Sequence, residues 1–256
     1  MKILAIGDLI GSAGIKKFKS ELPKIRKQEN IDFVIVNGEN SAEGMGITEK
    51  NFKDILDSNV NVITMGNHTW GKKDIFKFID HPKLIRPANY PKGVVGKGYN
   101  IYNCKDKKIA VINLIGRVDI NVLSENPFLI AKEIVQKIEK KVDIIVVDFH
   151  AEATAEKIAL GYFLDGKVTA VYGTHTHVQT ADETILEKGT AYITDIGMTG
   201  PKKSVIGMDI GASIKRFETT LPERYKIATG ECIFNGVIFD IDDNTNKVSK
   251  IKRVMS

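Results

Sequence analysis

The stretch GTHTHVQTAD, Gly173 to Asp182, holds two of the five histidines in the chain, one residue apart and directly after the apolar run KVTAVY. In an extended chain, residues i and i+2 face the same side, so this spacing predicts that the rings of His175 and His177 converge. Two convergent imidazoles suit a divalent metal. A polar surface loop that happens to carry them is the plainer alternative, and the rest of the chain has to decide between the two.

The same kind of position recurs along the sequence. KILAIG is followed by Asp8, FVIVNG by Glu39 and Asn40, VITMG by Asn67 and His68, and IIVVDF by His150. Taken singly, each reads as a turn former, a helix cap or a loop histidine. Five such strand ends together point to a common site, because ligands of an open α/β sheet bind beyond the carboxyl ends of its strands. The set mixes carboxylates, amide oxygens and imidazoles without a thiol, which favours Mn²⁺, Fe²⁺ or Zn²⁺ over a structural zinc knot. Two carboxylates, two amides and three or four histidines exceed the needs of one ion. They are enough for two ions about 3.5–4 Å apart, the arrangement phosphatases and nucleases use. His81 in DHPK, where a helix should end beside Pro82, reads as a surface residue.

Competing motifs fail. GDLIGSAG, Gly7 to Gly14, has glycines at phosphate-loop spacing but no GKS or GKT ending, and it matches GxGxxG poorly. No strand-flanked GxSxG elbow of an α/β-hydrolase is present.

The elements that must position these residues follow from short apolar runs alternating with amphipathic charged stretches, the signature of βαβ units. Strands are expected at residues 2–7, 33–37, 62–65, 109–114, 144–148, 168–172, 191–194, 232–240 and 248–254. Helices are expected at 15–27, 48–58, 72–79, 127–140 and 155–163, with Thr48 and Asn126 as N-caps and Pro127 at a first helical position. NGVIFDIDDNTNKVSKIKRV reads as two strands around an Asp-Asp-Asn turn, and the basic KDKK, Lys105 to Lys108, as a solvated hairpin turn. The expectation is a layered α/β domain spanning residues 1–256. Residues 196–230 mix Gly, Pro and charge as a long irregular segment, a length typical of functional lids or disorder.

Composition bounds the rest. The 256 residues are 43% hydrophobic and 27% charged, ordinary for a soluble globular protein, and no apolar run is long enough to cross a bilayer. MKILAIGDLIG reads as a first strand, not a signal peptide, since Asp8 interrupts it. Two distant cysteines make neither a disulfide framework nor a CxxC site, which points to a reducing, cytoplasmic setting. The net charge of +5 favours anionic partners such as phosphate esters but falls short of a nucleic-acid footprint.

The order D, GEN, GNH, H, GxHxH resembles the calcineurin-like metallophosphoesterases. More closely, GDLIGSAG, NGENSAEGMGIT, MGNHTW, DFHAEATAEK, GTHTHVQTAD and TDIGMTGP together resemble the YmdB-type phosphodiesterases, from Met1 to about Thr220. Ile10 and Glu39-Asn40 depart from the Asp-x-His and Asp motifs of the broad superfamily, and the YmdB-type proteins share both changes. The resemblance implies a two-sheet β-sandwich flanked by helices, four layers in the order α/β/β/α. It implies that Glu39 bridges two metals, iron or manganese first and zinc as a further option. Asp8, Asn40 and His177 would complete one site, and Asn67, His150 and His175 the other. His68 would stay off the metals, facing the substrate to protonate the leaving oxygen, or else orient the ligands from behind. The implied reaction is hydrolysis of 2′,3′-cyclic nucleotides to nucleoside monophosphates by a metal-bridging hydroxide. Residues 196–230 would cap the substrate. Lys202, Lys203, Lys215 or Arg216 could meet its phosphate there, although each reads first as a surface charge. Three other readings remain: a phosphomonoesterase, a nuclease acting on RNA, and a regulatory protein that binds a nucleotide without turnover. The resemblance further implies a homo-oligomer, and the short apolar runs argue against a membrane partner.

Overall fold

The computed structural model describes residues 1–224 and 226–256. Two six-stranded sheets form the centre. One runs in the order Val248–Met255, Asn235–Ile241, Lys2–Ile6, Phe33–Asn37, Val62–Thr64 and Leu84–Ile85. The other runs Thr184–Ile185, Ala191–Ile193, Ala170–Thr174, Ile144–His150, Lys107–Ile115 and Tyr99–Cys104. In the first sheet Val248–Met255, Asn235–Ile241 and Lys2–Ile6 pair antiparallel and the remaining strands run parallel out to the edge Leu84–Ile85, whereas in the second the middle strands are parallel and both edge strands antiparallel.

Strand alternation builds the layers. Ile3, Ala5, Phe33, Ile35 and Val62 point toward Ile109, Val111, Ile144, Val146 and Ala170, forming a dry core between the sheets. The intervening residues point outward. Leu4, Ile6, Val34 and Val36 meet Phe18, Leu22 and Ile25 of helix α1 (Gly11–Glu29) and Phe52 and Ile55 of α2 (Glu49–Leu56). Ala110, Ile112 and Val147 meet Ala131, Ile134 and Val135 of α3 (Pro127–Ile138) and Leu160 and Leu164 of α4 (Thr154–Leu164). The result is the expected α/β/β/α sandwich.

The N-caps hold as expected. Thr48 closes a reciprocal capping box with Asn51, and Asn126 accepts from the backbone of Phe128 and Leu129 ahead of Pro127. Several bounds differ. α1 begins at Gly11, four residues early, with no side-chain cap to announce it. The expected helix over 72–79 is a 3₁₀ turn, Lys73–Lys77. His81 is half-buried, edge-on to Phe52 at 5.0 Å, and stays away from the strand-end residues. Residues 196–230 are not a plain loop. They contain Met198–Pro201, which pairs with Asp8–Leu9 and Cys232–Ile233 in a small third sheet, and helix α5 (Ile210–Thr219), capped by Asp209. Tyr225, inside the expected capping segment, lies outside the described residues. The glycines of GDLIGSAG serve that third sheet: a Cβ on Gly7 or Gly14 would strike the carbonyls of Gly197 or Thr199.

KDKK is a hairpin turn as expected, but Lys105 reaches back to Asp32 at 2.7 Å. Asp32 also accepts from the Lys2 backbone N–H at 2.9 Å. Partial burial pushes the Asp32 carboxyl up, yet the Lys105 ammonium and the Lys2 N–H outweigh it and hold the group below its usual range. A depressed carboxylate stabilises the fold above its unfolded pKa and loses that contribution as pH falls through the folded value. Asp32→Asn keeps an acceptor for Lys2 and loses the charge. It is expected to cost about 1 kcal/mol at pH 7, with the difference from wild type vanishing near pH 2, as read by urea unfolding at the two pH values.

Candidate metal centre

Every strand-end residue singled out by its type lies at one end of the sandwich. Asp8, Glu39, Asn40 and His150 are buried there, and Glu39, Asn40, His68, His175 and His177 line a cleft of about 610 Å³. His150 is the focus. Its Nε2 lies 2.8 Å from Asn67 Oδ1, 2.9 Å from His175 Nδ1 and 3.0 Å from Glu39 Oε1. One ring nitrogen can hold one proton, so it cannot satisfy three acceptors at once. Four lone-pair atoms this close together form the shell a cation would fill.

The outer partners fix the ring tautomers accordingly. Thr174 Oγ1 donates to Asp148 Oδ1 at 2.8 Å, so it accepts from His150 Nδ1 at 3.0 Å, and Nε2 is turned inward. His175 Nε2 faces Glu152 Oε2 at 3.2 Å, which turns its Nδ1 inward. His177 Nδ1 donates to the carbonyl of Ile206 at 2.9 Å, leaving Nε2 toward Asp8 Oδ2 at 3.7 Å. Burial pushes the Asp148 carboxyl up to about 6, and Thr64 donates to its second oxygen at 2.5 Å.

A second group of donors gathers around Asp8. Its Oδ2 accepts from the His175 backbone N–H at 3.0 Å, while Asp8 Oδ1 and Asn40 Oδ1 are buried without a hydrogen-bond partner among the described residues. Glu39 lies between the two groups, with Oε1 toward His150 and Oε2 accepting from the His68 backbone N–H at 2.9 Å. Burial pushes Glu39 up, but His150 and His68 pull it down to about 2. Burial pushes His150 down, and Glu39 together with Asp8 raises it to about 9. Asp8 is raised well above the carboxylate range by burial, with Glu39 and Asp195 adding to the effect. Burial and His150 together lower His175 to about 3, and burial lowers His177. Orphaned buried oxygens and crowded carboxylates are what a divalent cation relieves, so the residues fit such an ion. Gly66 makes the crowding possible, since a Cβ there would strike His150 and Glu39.

One premise of the sequence reading does not hold. His175 and His177 are not in an extended strand; they have φ of 100° and 66°, and the strand ends at Thr174. They diverge, His175 toward His150 and His177 toward Asp8. Asp195 pins the residue between them: its Oδ2 accepts from Thr176 N at 3.1 Å and Thr176 Oγ1 at 2.8 Å, and its Oδ1 from Gly197 N at 2.8 Å. Lys157 of α4, 1% exposed, pairs with Asp195 at 2.7 Å. Thr174, Asp148, Glu152, Asp195, Lys157 and Ile206 were not singled out by sequence reasoning, although Asp148, Glu152 and Lys157 stand in DFHAEATAEK and Asp195 in TDIGMTGP.

The family model described as "YmdB-like protein" matches residues 4–254. The chain belongs to the YmdB-like family. A relative from Bacillus subtilis (strain 168), named 2′,3′-cyclic-nucleotide 2′-phosphodiesterase, is 52% identical over 256 residues, covering 100% of this chain and 97% of that protein. A solved structure from Mycoplasma pneumoniae, described as a novel phosphatase, superposes with a TM-score of 0.95 at 39% identity, covering 100% of this chain and 93% of the other. One of a hypothetical protein from Thermus thermophilus gives 0.94 at 34%, covering 100% and 99%. Both the YmdB-type assignment and the sandwich fold expected from the motifs are therefore borne out. Among the described residues, no helix of this YmdB-like chain is long and apolar enough to cross a membrane.

Proposed function

We propose that this chain is a metal-dependent phosphodiesterase that uses two divalent cations to hydrolyse 2′,3′-cyclic nucleotides to nucleoside monophosphates. The observation that carries the reading is the convergence of Asn67, Glu39 and His175 on one nitrogen of His150, with outer partners that turn the lone pairs inward. The B. subtilis relative supports the substrate class. On this reading Glu39 stands between two cation positions. Asp8, Asn40 and His177 would hold one, and Asn67, His150 and His175 the other. Iron or manganese suits these donors, and zinc is compatible with them. Bound there, the pair would lower the pKa of a water held between them and take up charge on the phosphoryl oxygens.

The remaining steps belong to the chain's own residues. His68 lines the cleft, its backbone N–H committed to Glu39 and its ring Nε2 3.4 Å from Asn67 Nδ2. Water adds to phosphorus and gives up a proton to solvent, one P–O bond to the ribose breaks, and the departing oxygen takes a proton from the His68 imidazolium. Met45, Ile206 and Met208 give the cleft an apolar wall for the nucleoside, and Lys72 stands beside it as a cation. Among the described residues, Lys202, Lys203, Lys215 and Arg216 are not in that lining. Residues 196–230 cap the cleft through Ile206 and Met208, and the whole chain works as one catalytic domain. A cytoplasmic setting and self-association complete the proposal, the latter read by light scattering.

Elemental analysis of the purified protein, followed by turnover of cyclic nucleotides, aryl phosphate monoesters and short RNA, tests the reading. The expected result is two metal equivalents per chain and turnover of cyclic nucleotides that chelation abolishes. His68→Ala should lower kcat about 10²–10⁴-fold with metal content unchanged. Turnover confined to monoesters overturns the diesterase assignment, and tight nucleotide binding without turnover favours a regulatory role.

A further inference from the structure

The cleft does not stop at the strand-end cluster. Its Ile206–Met208 wall is shared with a second cavity of about 300 Å³, which is also lined by Phe217, Arg224 and Lys226. A third, of about 560 Å³, joins Glu43 of the cleft to the same Arg224 and Lys226. The shared wall is a tight turn: Val205 and Met208 pair backbone to backbone at 2.9 Å in both directions, with Ile206 and Gly207 at positive φ. A ligand emerging from the cleft over that turn meets two cations and an aromatic ring. Phe217 is 80% exposed, a flat apolar face left in solvent. Glu223, the acid of the second cavity, is already paired with Lys215 at 2.5 Å.

Positive charge beside an exposed aromatic is what single-stranded nucleic acid needs, the charge for a phosphate and the ring for a base. A cyclic mononucleotide has nothing to offer there, because its one phosphate is already at the cluster. An oligoribonucleotide ending in a 2′,3′-cyclic phosphate presents the same reacting group and continues from the 5′ oxygen of its last ribose. We infer that the substrate class extends to short single-stranded RNA with a 2′,3′-cyclic phosphate end, its penultimate nucleotide crossing the Ile206–Met208 turn onto Phe217, Arg224 and Lys226. This rests on the proposed function. The bond chemistry is unchanged: water adds at the terminal phosphorus, one P–O bond to the last ribose breaks, and the internal phosphodiesters stay intact.

The test compares the metal-loaded protein on 2′,3′-cyclic AMP and on adenylyl di- and trinucleotides bearing the same cyclic end. Adding the penultimate nucleotide should lower KM at least about tenfold with kcat nearly constant. Raising salt should erode that gain. Phe217→Ala and the Arg224→Ala/Lys226→Ala pair should remove most of the gain while leaving the mononucleotide kinetics as they were. Equal kcat/KM for mono- and dinucleotide, or variants that slow both alike, overturns the inference. Failure of the wild-type protein to open any cyclic nucleotide strikes the proposed function instead. Fluorescence anisotropy with a dye-labelled trinucleotide 3′-phosphate then still decides the groove, since equal affinity for wild type and variants removes it.

Discussion

Replacing Glu39 by Gln is expected to abolish hydrolysis, by about 10³-fold or more, while the protein stays folded. The substitution keeps the shape and an oxygen for the His68 N–H, which Glu39 Oε2 now accepts at 2.9 Å. What it loses is the negative charge between the two donor groups, 3.0 Å from His150 Nε2 on one side. An amide there carries no charge to share between two cations. Two readings separate this loss from general damage. Without metal, the melting temperature should stay close to wild type, because a buried carboxylate and its imidazolium partner are lost together as charges. With Mn²⁺ added, wild type should gain stability by mass action and the variant should gain almost none. A variant that still turns over cyclic nucleotides within tenfold of wild type removes Glu39 from the centre of the proposal.

Much of the site was legible because its signal is local. A polar side chain placed directly after an apolar run is visible without knowing the partner strands, and that pattern brought out Asp8, Glu39, Asn40, Asn67, His150, His175 and His177. Bounds that depend on partners were not visible. Ala170–Thr174 runs two residues beyond the apolar segment because Gly173 and Thr174 pair with Phe149 and His150 of the neighbouring strand. α5 was missed for a related reason. None of its residues is buried, so no apolar stripe toward a core marks it. The His-x-His spacing pointed to the right residues for a mistaken geometric reason. The two rings reach the cluster through left-handed backbone positions, not through strand alternation. Such backbone is costly unless the surroundings hold it, and Asp195, well beyond His177 in the chain, does the holding. Lys157 was the least legible residue. On a helix in AEATAEK it reads as a solvated charge, and only the packing of α4 against the second sheet puts it in the interior.

That buried lysine gives the largest expected effect on stability. Lys157→Met should destabilise the protein by about 3–5 kcal/mol, on the order of 10 °C in Tm, because it leaves the Asp195 carboxylate buried and uncompensated. Thr176 and Gly197 would still donate to that carboxylate, but neither carries charge. Neutralising both partners in Lys157→Met/Asp195→Asn should recover most of the stability, as expected when a buried pair is removed whole. It should not recover the metal centre. The amide that Asp195→Asn introduces can accept fewer of the bonds that fix Thr176, so the loop holding His175 and His177 loses its anchor on both sides. Weakening a residue that orients ligands typically costs about 10–100-fold in metal affinity. The double variant should therefore melt near wild type without metal and bind Mn²⁺ by that factor less tightly, in a titration read by calorimetry. If the two substitutions restore stability and leave the affinity untouched, the Lys157–Asp195 pair holds up the fold alone and has no part in positioning the two histidines.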